Sequence, residues 1–156
     1  MVNFILIRYF NLVLDGLIEL AKEFISHPPN ECPYEVQRNP KFYPYFKNVL
    51  GAMDGTHINV HVPNDMFACY RNRYGQVSQN VFAACTFNMY FCFILAGWEG
   101  SAHDGRVFKD ALAKGFTIPD GKFYLGDAGY PLTNQCLTPY HGVRYHLREQ
   151  YQSHAR

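Results

Sequence analysis

The pattern of apolar and polar positions divides the chain into an amphipathic start, a proline-rich middle and an alternating series of strand-like and helix-like segments. Over residues 4–25, polar residues recur every three or four positions: Arg8, Asn11, Asp15, Glu19 and Lys22. This spacing predicts one amphipathic helix with a polar stripe. The helix should end before Pro28 and Pro29, because proline cannot continue a helix.

The next segment, residues 28–47, combines repeated prolines with aromatic residues. Its aromatic content predicts that it packs against the rest of the protein instead of extending into solvent. We therefore expect three regions. These are an N-terminal helix over residues 1–27 that forms the end of an upstream helical region, a connector over 28–47 and a core over 48–156.

The core pattern predicts strands at 49–62, 77–86 and 89–97, with the first one interrupted at Asp54-Gly55. The third run is almost continuously apolar, which is typical of a central buried strand. A helix over 104–114, a short strand over 123–127 and a last strand over 143–147 should follow. Three consecutive strands favour an antiparallel meander, and a strand beyond a helix favours a crossover. The order predicts an α/β fold with a mixed sheet.

Composition narrows the class of protein only a little. With 48% hydrophobic and 17% charged residues, the 156-residue chain can bury one core. The net charge of +1 names no partner, and nucleic-acid-binding domains are usually more basic. The five cysteines lack metal-site spacing and are expected to be free thiols. The apolar start is interrupted by polar residues, so we predict neither a signal peptide nor a membrane span.

Two aspartates, Asp54 and Asp127, follow strand-like segments and are flanked by glycine. Glycine lets a ligand or another backbone approach closely. Divalent cations such as Mg²⁺ prefer oxygen ligands, often one or two carboxylates with water and phosphate. The two aspartates are therefore candidate metal ligands. The alternative from the residues alone is that each is a structural residue of an Asp-Gly turn.

Five further residues are candidates for supporting roles. Asp104 is either a helix N-cap or first-turn residue, favoured there by the helix dipole, or an acid that supports the metal site. His57 and His103 either orient the carboxylates or lie on a strand surface and in a turn. Arg71 and Arg73 either bind DNA phosphates or belong to a solvated hairpin loop.

Four segments, in this order, together resemble the nuclease core of Harbinger-type transposases, members of the DDE superfamily of endonucleases. The similarity runs from about Arg8 to Leu147, and four ordered motifs form a specific signal. The segments are Gly51-Ala52-Met53-Asp54-Gly55-Thr56-His57-Ile58, Ala96-Gly97-Trp98-Glu99-Gly100-Ser101-Ala102-His103-Asp104, Tyr124-Leu125-Gly126-Asp127-Ala128-Gly129-Tyr130-Pro131 and Tyr140-His141-Gly142-Val143-Arg144-Tyr145-His146-Leu147.

The resemblance implies a ribonuclease-H-like fold in which the first and fourth strands are neighbours. Asp54 and Asp127 would then share Mg²⁺ or Mn²⁺, with two ions in the complete site. The third acid of such nucleases is a glutamate on a later helix, and Glu149 does not match that motif, so we expect the core to be incomplete at its C-terminus. The family also implies DNA as partner, a Myb/SANT-like DNA-binding partner protein and a nuclear location. An uncovered apolar sheet face would also favour a homo-oligomer.

Two functions of different kinds follow, with a third as a weaker alternative. The first is a metal-dependent DNA endonuclease that hydrolyses phosphodiester bonds by a two-metal mechanism. The second is a catalytically inactive transposase remnant that binds DNA or a protein. The third is a general α/β binding domain in which Asp54 and Asp127 only form turns.

Overall fold

The computed structural model describes residues 2–140 and 142–143. The chain begins with the long helix α1 (Val2–Phe24) and a segment that carries the single-turn helix α2 (Tyr34–Gln37). After the first strand, a 3₁₀ turn (Asn64–Met66) leads into the short helix α3 (Phe67–Tyr70). The helix α4 (Asp104–Ala113) lies between the third and fourth strands.

In the described residues, five strands form one mixed sheet. They are β1 (Val49–Asn59), β2 (Ser78–Cys85), β3 (Phe91–Glu99), β4 (Phe123–Leu125) and β5 (Cys136–Leu137), in the spatial order β3-β2-β1-β4-β5. The first three strands are antiparallel, and β4 and β5 run parallel to β1. This is the predicted mixed sheet, with β1 and β4 as neighbours. It agrees with a ribonuclease-H-like nuclease core.

The core lies between the sheet and α4 and is rich in aromatic rings. Phe82 of β2 is fully buried and packs against Phe108 of α4, with ring centroids 6.2 Å apart, and against Phe116, at 5.4 Å. Val107, Phe108 and Ala111 form the buried face of α4. Burying a Val or Phe side chain contributes roughly 1.5–3 kcal/mol, so this face holds α4 against the sheet.

Two strand predictions are wrong in detail. The first strand is not interrupted at Asp54-Gly55, because β1 continues to Asn59 and pairs with β2 on both sides of Asp54. The third strand is not central: β3 is an edge strand, and Phe91 and Ile94 on it are exposed. The apolar run signals strand formation, whereas the position in the sheet depends on which strands pair.

The N-terminal helix forms as predicted, but its apolar face is not buried against the rest of the described protein. Every residue from Asn3 to Leu20 is exposed, including large apolar side chains such as Phe4 and Phe10. No helix in the described part of the chain is both long and apolar enough to cross a membrane.

The C-terminal part of the sheet differs from the expectation. The last strand in the described part of the chain is β5, which the sequence did not predict. Of the predicted strand 143–147, only Val143 belongs to the described residues, and it is not in a strand. The cysteines at positions 32, 69, 85, 92 and 136 are free thiols, as expected.

Candidate metal centre

The pairing of β1 with β4 brings the two candidate aspartates to equivalent positions. Val49 pairs with Phe123 and Ala52 with Leu125. Asp54 lies two residues after Ala52, and Asp127 lies two residues after Leu125. Neighbouring strands lie about 4.8 Å apart, so the two residues occupy adjacent positions at one end of the β1–β4 pair.

The two carboxylates are exposed to solvent, but their local settings differ. Asp54 lies inside β1, and its Oδ1 accepts a 2.7 Å hydrogen bond from the backbone N–H of Gly55. The turn alternative is therefore wrong for Asp54. Asp127 follows β4, and its Oδ1 accepts a 2.8 Å hydrogen bond from the N–H of Gly129, as in an Asx-type turn. Turn formation and ligand binding are compatible here because a carboxylate has several acceptor sites.

Asp104 is the first residue of α4, and its carboxylate points towards the sheet. The N-cap residue is His103, which makes no side-chain capping hydrogen bond. Asp104 Oδ1 instead accepts a 3.3 Å hydrogen bond from Nδ2 of Asn80, which is buried in β2. Asp104 is thus a first-turn residue, one of the two structural positions expected for it, and its carboxylate is held by a neighbouring strand.

The Asp104 carboxylate lies next to Gly55 and Gly129, where a larger residue would place its side chain. A methyl group built on Gly129 would lie 2.8 Å from Asp104 Oδ2 and 3.0 Å from Asp127 Oδ1. A methyl group built on Gly55 would lie 3.0 Å from Asp104 Oδ1 and 3.0 Å from Asn80 Oδ1. The carboxylate of Asp104 therefore faces both glycines, one with each oxygen, and meets Asp127 at Gly129.

Two buried polar side chains next to these acids were not predicted. Asn80 and Tyr130 are each 1% exposed, and among residues 2–140 and 142–143 neither Asn80 Oδ1 nor the Tyr130 hydroxyl has a hydrogen-bond partner. Asn80 is a polar residue at a position of β2 that faces the core, and this unusual placement is the signal by which the sequence could have indicated it. Tyr130 lies in one of the quoted motifs, but the motif does not indicate that its ring packs against Phe82 and Phe108.

The carboxylates make this region strongly negative. Burial raises the pKa of the Tyr130 hydroxyl far above its usual range. The charges of Asp104, Asp54 and Asp127 raise this pKa further, so all three act on one buried hydroxyl. Burial, together with Asp127, also raises the pKa of the Cys136 thiol to about 11. Both groups stay neutral at physiological pH.

Within the described residues, neither His57 nor His103 forms a hydrogen bond to an aspartate. His57 is exposed on β1, and its Nδ1 lies 3.0 Å from Ser78 Oγ. His103 is exposed and caps α4 through its backbone carbonyl, which accepts hydrogen bonds from the N–H groups of Arg106 and Val107. These contacts give no support to a role of either histidine in orienting a carboxylate.

Arg71 and Arg73 lie on either side of a tightly organised loop. Between them, Asn72 is buried, and its Oδ1 accepts hydrogen bonds from the N–H groups of Tyr74 and Gln76 at 2.9 and 3.0 Å. Both arginines are exposed, and the Arg73 guanidinium stacks over the Tyr74 ring at 5.1 Å. The loop is an ordered hairpin with its cationic side chains in solvent.

Within residues 2–140 and 142–143, no three His, Cys, Asp or Glu side chains are grouped as ligands of one metal ion. The carboxylates that lie near one another come from β1 (Asp54), the start of α4 (Asp104) and the residues after β4 (Asp127). Mg²⁺ commonly uses one or two carboxylates and completes its shell with water and phosphate oxygens. The donor set fits a hard divalent cation.

Comparison with known proteins assigns this chain to a family. The chain belongs to the DDE superfamily endonuclease family (DDE_Tnp_4), whose family model matches residues 53–156 and therefore covers Asp54, Asp104 and Asp127.

Among individual proteins, the chain is similar to HARBI1, whose name describes it as a candidate nuclease. It is 30% identical to HARBI1 of Rattus norvegicus and 28% identical to that of Homo sapiens, in each case over 83% of this chain and 38% of the relative. It is also 29% identical to the ALP1-like protein of Arabidopsis thaliana, over 61% of this chain and 28% of that protein. The chain thus spans well under half the length of these relatives. No solved structure matches it.

Proposed function

We propose that this chain is the core of a metal-dependent DNA endonuclease, in which Asp54 and Asp127 bind Mg²⁺ or Mn²⁺ and phosphodiester bonds are hydrolysed. The observation that carries the proposal is the parallel pairing of β1 with β4: Asp54 lies two residues after Ala52, and Asp127 lies two residues after its partner Leu125, just past the end of β4. Membership of an endonuclease family and similarity to proteins named as nucleases support it.

The residues fit the cations that the family uses. Two exposed carboxylates on ordered backbone supply hard oxygen ligands. A divalent ion bound here would activate water and stabilise the leaving oxygen. The protein's contribution is to hold Asp54 through Gly55 and Asp127 through Gly129, so that both carboxylates keep one orientation.

Single changes at the two aspartates test this proposal. We expect the full chain to nick supercoiled plasmid DNA when Mg²⁺ or Mn²⁺ is added, and Asp54→Asn and Asp127→Asn to lower nicking to the level without metal. Asparagine keeps the shape of aspartate but loses the charge that a hard cation requires. Asp120→Asn removes an exposed acid from the loop before β4 and should cut like the wild type. Equal cutting by all variants would refute the assignment.

The partner proposals follow from the same family. We propose DNA as the substrate, a Myb/SANT-like protein as a DNA-binding partner, self-association into a homo-oligomer and a nuclear location. Exposed Arg71 and Arg73 on the ordered loop are the proposed phosphate contacts. An Arg71→Ala/Arg73→Ala variant should bind DNA more weakly and lower the salt slope of the binding constant by about two, because each phosphate contact releases about one counterion. An unchanged slope, measured by fluorescence anisotropy, would remove these residues from the interface.

A second candidate function is DNA or protein binding without cleavage. It is favoured by the lack, in the described residues, of a three-acid group arranged around one ion. The same nicking assay separates the two candidates: a chain that binds DNA but nicks it equally with and without metal is a binding domain.

A further inference from the structure

We propose that a cavity away from the candidate metal centre binds a basic peptide segment of a partner protein. The cavity has a volume of about 610 Å³ and is lined by the end of α1, the segment that carries α2, and the turn between β2 and β3. The inference goes beyond the proposed endonuclease function and does not depend on it, because none of Asp54, Asp104 and Asp127 lines the cavity.

The position of the cavity separates it from the candidate metal centre. Leu50, near the start of β1, and Thr86, directly after β2, line the cavity. Asp54 lies four residues beyond Leu50, and a strand rises about 3.3 Å per residue, so Asp54 is about 13 Å further along β1. The loop with Arg71 and Arg73 lies beyond the opposite end of the β1–β2 pair. The cavity is therefore not part of the proposed DNA-cleaving site.

The charges that line the cavity have one sign. Glu23, Glu31 and Glu35 line it, and no aspartate, lysine or arginine does. All three glutamates are exposed, and within the described residues none of them forms an ion pair. The whole chain has a net charge of +1, so this acidity is local. It favours a cationic occupant and repels the phosphates of DNA.

Aromatic rings at the cavity provide a second kind of contact for a cationic group. Phe24, Tyr34 and Tyr90 line the cavity and are exposed. Ammonium and guanidinium groups are attracted to the faces of such rings. The guanidinium of Arg38 lies over the Tyr34 ring, 5.4 Å from its centroid, so this ring already holds a cation of the same chain. Phe24 and Tyr90 are the rings that remain for a partner.

The size of the cavity and the spread of its carboxylates favour a peptide over a single ion. Pockets of about 300–1,000 Å³ accommodate molecules far larger than a metal ion. The three glutamates belong to α1, to the connector and to α2, so one segment with several basic side chains can pair with all of them. Arginine suits these contacts best, because it pairs bidentately with carboxylates and stacks on aromatic rings.

The test uses a fluorescein-labelled hexa-arginine peptide and the full chain, at low salt in metal-free buffer, with fluorescence anisotropy as the measure of binding. Two triple variants neutralise the same number of exposed acids, at the cavity or elsewhere: Glu23→Gln/Glu31→Gln/Glu35→Gln and the control Asp15→Asn/Asp65→Asn/Asp120→Asn. The cavity variant should bind the peptide more than about tenfold more weakly than the wild type, because three charge pairs are lost. The control should bind like the wild type. Circular dichroism checks that both are folded.

A second pair of variants tests the aromatic contact without changing any charge. Tyr90→Ala should weaken peptide binding by about threefold, because a ring that faces a guanidinium is lost. Tyr9→Ala removes an equally exposed ring from α1, away from the cavity, and should bind like the wild type.

Three outcomes would overturn the inference. Equal binding by the two triple variants would mean that the peptide responds to overall charge and not to the cavity. A loss in Asp54→Asn/Asp127→Asn, with wild-type binding in the cavity variant, would place the peptide at the metal centre. Spermine binding as tightly as the peptide would mean that a small polyamine is sufficient. Peptide binding needs no cleavage, so a chain that fails to nick DNA leaves the inference intact.

Discussion

Helices α1 and α4 share an amphipathic pattern but differ in their environment. In α4, the apolar residues Val107, Phe108 and Ala111 are buried against the sheet, and the helix delivers Asp104 to the carboxylates. In α1, large apolar side chains such as Phe10 remain exposed on all sides of the helix. Both helices form because the pattern favours them, but of the two only α4 has a buried apolar face.

The difference teaches that amphipathicity predicts a helix without predicting its partner. Most of the stability of a protein helix comes from packing and little from propensity. The position of α4 is therefore determined by β2 and the aromatic core, whereas α1 depends mainly on its own backbone and on local pairs such as Lys22–Glu19, at 2.7 Å. The candidate metal centre lies entirely in the packed region.

The largest effect should follow from one added methyl group in the packed region. In Gly51→Ala, the new methyl would overlap the backbone carbonyl of Cys85 in β2 and lie 3.1 Å from the Tyr124 ring. Backbone in the middle of a sheet cannot move aside cheaply, so the free energy of unfolding should fall by about 1–3 kcal/mol or more. Urea denaturation followed by fluorescence measures this change. An unchanged midpoint would show that the β1–β2 contact is looser than described.

A glycine-to-alanine change in α1 should have a smaller effect, and it should stabilise the helix. Nothing lies within 4 Å of a methyl built on Gly16. Alanine favours a helix over glycine by about 1 kcal/mol, so Gly16→Ala should increase the helical circular dichroism signal. The urea midpoint of the core should stay unchanged, because α1 makes few contacts with it. A midpoint shift as large as the helix propensity would mean that α1 and the core unfold together.

The sequence predicted most of the elements and the family, because periodicity and motif order are local properties. Periodicity predicts the strand at Asp54 and the helix after His103. The spacing of the cysteines predicts the free thiols. The edge position of β3 and the two-residue strand β5 could not be predicted. The former depends on which strands pair, and the latter is too short to show a period.

The metal-ligand role of Asp54 and Asp127, which the quoted motifs indicate, stays a prediction. The structure adds that each lies two residues beyond the paired residues Ala52 and Leu125 of neighbouring strands. The meeting of Asp104 with Asp127 at Gly129, and the buried oxygens of Asn80 and Tyr130, were not predictable, because they depend on how α4 and the loop after β4 pack.

The most direct test of the central claim is Mn²⁺ binding to the wild type, Asp54→Asn and Asp127→Asn, followed by the electron paramagnetic resonance signal of free Mn²⁺. The claim is that Asp54 and Asp127 share a cation. Each single variant should then lose that ion, with an affinity lower by more than about tenfold, since a shared ion needs both carboxylates. If either variant binds every Mn²⁺ ion with wild-type affinity, the two aspartates do not form one site and the claim is contradicted.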